Sequence, residues 1–295
     1  MAADTAGKGN VDAGSVAEAI AYPGYAGTPK RPGFLKRWFG TRRDSTETPG
    51  ASGLHAGPEP AASGNLEATF GADERRQVPD SSQLPWSAIC HLDVDLGGKH
   101  GYGTGFLVAP NIVVTAAHVL HPKGFKRGRS VLVMPGRNST TAPALFQDTT
   151  NFYLSPSWRP EADDPGLDFA VIMLEGNAFS SCGTIKLQTL TDADLARLKK
   201  EKTLVTVAGY PSDKPRGTLW RSRGPLLEFG ETAIYYKNDT KPGQSGGPVF
   251  GYTIDDTPVV FAIHVQGDQD SNVARRIHGL AATAIAARLG TTSIA

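Results

Sequence analysis

The hexapeptide Gly243-Gln244-Ser245-Gly246-Gly247-Pro248 constrains the fold of this chain more than any other stretch. Three glycines and a proline in six positions exclude a helix and open backbone conformations closed to other residues. Its surroundings are β-rich. Short runs of β-branched and aromatic residues, separated by turn residues, lie at 87–96, 103–109, 111–115, 130–134 and 168–174. A second series lies at 203–209, 218–229, 232–236, 248–252 and 258–265. Many short strands at regular spacing predict an all-β sandwich or barrel, and two successive groups of similar size predict two packed antiparallel barrels. Between the groups 192–202 reads as a short charged helix, and 278–289, rich in alanine, as a closing C-terminal helix.

Composition narrows the partners. The chain has 295 residues, with 30 Lys plus Arg against 29 Asp plus Glu. A net charge of +1 gives no whole-chain reason to expect nucleic acid or a membrane surface. The two cysteines, Cys90 and Cys182, make no disulfide framework and no zinc-ligand spacing, and the sequence leaves open whether they pair. Asp4, Lys8, Asp12 and Glu18 interrupt every apolar run near the N-terminus, so no secretory leader is visible and no stretch is apolar enough to span a bilayer. The expectation is a cytoplasmic or non-classically exported protein.

Glycine, proline and alanine supply 29 of the first 66 residues, without a sustained period, and such a segment reads as disordered. The expected organisation is a tail or pro-segment over 1–67, a first barrel over 68–180, and a linker helix, second barrel and closing helix over 181–295. One island in the tail, residues 30–43, interleaves Lys30, Arg31, Lys36, Arg37, Arg42 and Arg43 with Phe34, Trp38 and Phe39. It could dock on a partner or an anionic surface, although a solvated basic patch is the blander reading.

Thr115-Ala116-Ala117-His118 and Asp168-Phe169-Ala170-Val171 precede the glycine-rich serine. A serine hydroxyl is a poor nucleophile unless a base takes its proton and a third group orients that base. His118 would take the proton of Ser245, and Asp168 would hold the other ring N–H and stabilise the imidazolium. Asp168 opens an apolar strand, where a carboxylate needs a partner. The backbone N–H groups of Gly243 and Ser245 would face the carbonyl oxygen that gains charge during attack. Each element alone has a plain structural reading: a turn, a capped histidine, a strand opener. The three in this order, in this β-rich context, favour the catalytic one, and that chemistry uses no metal and no cofactor.

These residues resemble the trypsin-like superfamily of serine proteases, and within it the bacterial glutamyl endopeptidases. The resemblance covers about residues 68–280 and rests further on Asp73 to Val78, Pro135 to Asn138, Ala208 to Lys214, Asp239 to Ser245 and Ala262 to Gly267. It implies two six-stranded barrels of chymotrypsin type with the triad between them, and protein or peptide substrates. It also implies that Thr240 and His264 bind a glutamate side chain, both acting as donors to the carboxylate. Asp239 is the complication, because a carboxylate six residues before the nucleophile is where trypsin-like enzymes hold lysine or arginine. Cleavage after Lys or Arg through Asp239 is therefore the alternative within enzymes, with a quality-control protease of the HtrA type beside it. An inactive protease fold serving as a binding module is the alternative outside them. Gly247 stands where the family commonly has serine, and family members are usually secreted. Glu67-Ala68 lies where mature family members begin, which implies self-processing after Glu67 and a new amine on Ala68. Asn138-Ser139-Thr140 and Asn238-Asp239-Thr240 match glycosylation sequons and read as chance.

Overall fold

The computed structural model describes residues 69–294, apart from 142, 163, 178, 268 and 269. The expectations for the tail 1–66, for its basic-aromatic island and for the Glu67-Ala68 bond lie outside the described residues.

The first lobe is a seven-stranded curled sheet in the order β6-β5-β2-β3-β4-β8-β7. Its strands are β2 (Ile89–Asp95), β3 (His100–Ala109), β4 (Ile112–Thr115), β5 (Ser130–Pro135), β6 (Gln147–Thr149), β7 (Phe152–Leu154) and β8 (Ala170–Met173). β6 and β7 follow one another in the chain yet form opposite edges of the sheet. The curl brings those edges together without a ladder. Instead, Thr149 Oγ1 donates to the Met173 carbonyl at 3.0 Å, and the Met173 N–H donates to the Asn151 carbonyl at 2.9 Å. Three-residue edge strands are too short for more.

The second lobe closes. Strands β10 (Leu204–Gly209), β11 (Trp220–Phe229), β12 (Ala233–Tyr236), β13 (Pro248–Tyr252), β14 (Pro258–Gly267) and β15 (Asn272–Arg276) form a ring, sealed by β11 pairing with β12. The two-residue β9 (Lys186–Leu187) runs parallel to β14. β1 (Arg76–Gln77) pairs with Arg221 and Trp220 of β11. The stretch expected to open the first barrel is therefore laid on the second lobe's sheet.

Among the described residues, three α-helices decorate the sheets. α1 (Ala117–Leu120) is a single turn carrying His118. α2 (Asp192–Lys200) starts at Thr191, whose hydroxyl accepts from the Asp194 N–H while the Asp194 carboxylate accepts from the Thr191 N–H, satisfying two donors that a helix start otherwise leaves bare. α3 (Leu280–Leu289) belongs in sequence to the second lobe but buries Ala281, Ala284 and Ile285 in the core shared with the first, against β4. Arg288 lies over the Tyr153 ring at 3.5 Å, reinforcing that return. Cys90 and Cys182 are both free and buried, and burial pushes the Cys90 thiol well above its usual value.

Candidate active site

His118 sits in α1, immediately after β4, and Asp168 precedes β8, the strand paired with β4. The ladder therefore delivers both to one end of the first lobe. Asp168 Oδ1 accepts from the His118 backbone N–H at 2.9 Å, and Oδ2 lies 2.6 Å from ring Nδ1. The carboxylate is 2% exposed. Two charge-assisted contacts from one residue fix both the position of the histidine and the rotation of its ring.

Ser245 comes from the second lobe, in the loop between Tyr236 and β13, and is 7% exposed. Thr104, on β3 of the first lobe, ties this loop down. Its N–H donates to the Ser245 carbonyl at 2.9 Å and its hydroxyl to the Gly243 carbonyl at 2.8 Å. Gly246 has φ +83, and a β-carbon there would run into the Thr104 carbonyl and the Thr115 hydroxyl. Gly243 has φ +97, and a β-carbon would strike the Tyr210 carbonyl. Both glycines are thus required by conformation and by contact. The serine loop is seated against the Thr115 hydroxyl and the Ala116 backbone, just before His118.

The profile of the trypsin-like peptidase domain matches residues 103–254, from β3 through the serine loop. The chain belongs to the trypsin-like peptidase family. It is 29% identical over 209 residues to a glutamyl endopeptidase of Bacillus licheniformis, covering 69% of this chain and 62% of that one. It is 30% identical over 210 residues to a Bacillus subtilis protein named extracellular metalloprotease, covering 70% of this chain and 65% of the relative. The chain thus spans 62% to 65% of the length of these relatives. A solved Glu endopeptidase in complex with MPD shares the fold, with TM-score 0.63 and 24% identity over 75% of this chain and 99% of that one. No helix among the described residues is long and apolar enough to cross a membrane, and no three His, Cys, Asp or Glu side chains among them group as a metal site.

Within this trypsin-like peptidase, the other sequence-predicted residues occupy one polar wall beneath the serine loop. Asp239 is 5% exposed, and both of its oxygens are engaged, accepting from the N–H groups of Phe70 at 2.7 Å and Glu74 at 2.6 Å. It anchors the entering chain. Arg75 reinforces that anchor as a bidentate partner of both Asp73 and Asp213, and holds the Asp73 carboxyl well below the usual carboxylate range. Thr240 and His264 are completely buried. The Thr240 hydroxyl donates to Asn272 Oδ1 at 2.8 Å, and His264 Nδ1 lies 2.5 Å from the Tyr236 hydroxyl. Thr240 and His264, expected as two donors to a substrate, each also have a partner inside the wall. Sequence reasoning missed three residues here: Thr104, Tyr236 and Asn272. The only local signal for Thr104 was its place between Gly103 and Gly105. Both glycines are crowded positions, where a β-carbon would meet Val119 and Val113 respectively.

Proposed function

We propose that this chain is a serine endopeptidase that cuts after glutamate. The observation that carries the reading is the Asp168–His118 pair lying beside a serine loop clamped from the opposite lobe by Thr104. Ser245 Oγ attacks the peptide carbonyl as His118 takes its proton through Nε2, and Asp168 stabilises the imidazolium. The Gly243 and Ser245 N–H groups receive the oxyanion. Among the described residues nothing accepts from the Gly243 N–H, which leaves that donor for the substrate. His118 then protonates the amine as the C–N bond breaks, leaving an acyl group on Ser245; water, deprotonated by the same ring, attacks that ester, and His118 returns the proton to Ser245 Oγ as the C–O bond breaks.

Asp239 bears on the choice of substrate. A buried carboxylate whose two oxygens each already accept from a backbone N–H is a less available partner for lysine or arginine, so its engagement with the entering chain favours the acidic reading. His264 and Thr240 supply the polar floor. Neither reaches solvent in the free chain, so substrate binding opens the wall above them, and the fit is induced. The same Asp239 contacts support maturation: the chain just after Ala68 is held against the specificity wall, where a new amine would add positive charge.

A panel of fluorogenic peptides differing only in the residue before the cut bond tests this reading. Glutamate is expected to lead, and His264→Gln to lower the glutamate-over-glutamine ratio about 100-fold, as loss of a charge-assisted hydrogen bond would. A preference for lysine or arginine would move the assignment to the alternative through Asp239. An acylating serine reagent that fails to label Ser245 would make the chain a binding module. Mass spectrometry of active protein against Ser245→Ala is expected to find Ala68 as the N-terminus in the former only.

A further inference from the structure

Tyr236 and Asn272 are facing partners on β12 and β15, and both are completely buried. Asn272 Nδ2 donates to the Asn238 carbonyl, which sets the amide orientation and turns Oδ1 toward Thr240. Thr240 donates its hydroxyl proton to that oxygen at 2.8 Å. A hydroxyl has one proton, so toward any other group Thr240 offers only lone pairs. Of these two side chains, His264 is then the one with a proton to offer an anionic side chain entering this wall.

His264 is held at Nδ1 by the Tyr236 hydroxyl, 2.5 Å away. When the phenol donates, the ring proton resides on Nε2, and that nitrogen becomes a donor. The phenol also brings no charge. A carboxylate in its place would set a second negative charge beside an incoming anion, whereas the phenol orients the ring without repelling it.

We propose that Tyr236 is the positioning residue for acidic specificity: it donates to His264 Nδ1, holds the ring as the Nε2–H tautomer, and so turns that N–H into the donor for the substrate carboxylate. The proposal rests on the glutamate reading above, and two readouts separate their failures. The first is ¹⁵N spectroscopy of His264 in the inactive Ser245→Ala protein at neutral pH, assigned with His264→Gln. Nδ1 is expected as a bare, hydrogen-bonded acceptor and Nε2 as protonated, with Tyr236→Phe moving the ring toward a mixture of tautomers. A protonated Nδ1 beside Tyr236 overturns the proposal, and this spectrum needs no folded Tyr236 variant. The second is the ratio of kcat/KM for glutamate over glutamine in active enzyme. Tyr236→Phe is expected to lower it about tenfold, mainly through KM, because a ring free to change tautomer offers its donor only part of the time. A wild type that prefers glutamate, with a ratio that survives Tyr236→Phe, also overturns the proposal. A wild type without any preference for glutamate overturns the glutamate reading and the specificity half of the proposal together, while the nitrogen spectrum still decides whether Tyr236 sets the tautomer.

Discussion

His118 and His264 make nearly the same short hydrogen bond through Nδ1, one at 2.6 Å and the other at 2.5 Å, yet their partners differ in charge. A carboxylate stands behind His118, which suits the cationic ring that the proposed mechanism requires. A phenol stands behind His264, which suits the proposed contact with an acidic side chain, since it adds no second negative charge. The lesson is that the partner, more than the imidazole, assigns the task. A third histidine completes the series. His91, on β2, is 2% exposed, and its Nδ1 lies 3.0 Å from the Arg137 guanidinium. Burial, with the positive charges of Arg137 and Arg216 nearby, pulls His91 down to about 3. At neutral pH it is an uncharged ring that accepts from Arg137 at Nδ1.

The largest effect should come from erasing the difference between the first two. Asp168→Asn replaces the anion by a neutral group of the same shape and should lower kcat about 10,000-fold, read from steady-state kinetics with folding checked by circular dichroism. A variant within tenfold of wild type would mean that the carboxylate behind His118 is dispensable.

A smaller effect sharpens the same contrast between carboxylates. Asp168 holds a ring, whereas Asp239 holds only backbone N–H groups. Asp239→Asn cannot accept from both and should destabilise the protein by about 1–3 kcal/mol in urea melts, because a buried donor loses its partner. It should not create a preference for neutral or basic substrates.

A third prediction concerns His91. Its folded-state pKa lies below the ordinary 6.5, so the unfolded chain binds a proton that the folded chain refuses between those values. The stabilising contribution is full above about pH 6.5 and is lost as pH falls toward about 3. The slope from this residue is at most about 1.4 kcal/mol per pH unit. Below the ordinary Asp value of 3.8, Asp73 adds a loss in the same direction, because its partner Arg75 depresses its titration. His91→Gln keeps an acceptor for Arg137 but cannot titrate, and should flatten the stability profile between pH 6.5 and 4 in denaturant melts. An unchanged profile would show that the proton goes elsewhere.

Most of the fold was legible. Alternating β-branched and aromatic residues marked β2, β3, β4, β5 and β8 and most of the second ring, because such side chains suit a half-buried pleat. β6, β7 and β9 escaped because two or three residues carry no period; their extended form is set by the neighbouring strand. β15 escaped for another reason. Asn272-Val273-Ala274-Arg275-Arg276 carries no apolar alternation, yet all five residues are buried. Arg275 donates to the carbonyls of Thr232, Arg276 and His278, and Arg276 to those of Gly230 and Leu190 and to Asp192. Buried guanidinium groups are tolerable only with such acceptors, and four of these six come from distant parts of the chain.

The site divides along the same line. The sequence by itself determined where the backbone must take conformations reserved for glycine, at Gly243 and Gly246, and which residue types could move a proton, at His118, Asp168 and Ser245. Those are local properties, written in sterics and in functional groups. Only the tertiary structure decided that Asp239 holds Phe70 and Glu74, that Thr240 has already given its proton to Asn272, and that a phenol stands behind His264. A hydrogen bond has a direction set by its partner, and here the partners lie between 28 and 169 residues away along the chain.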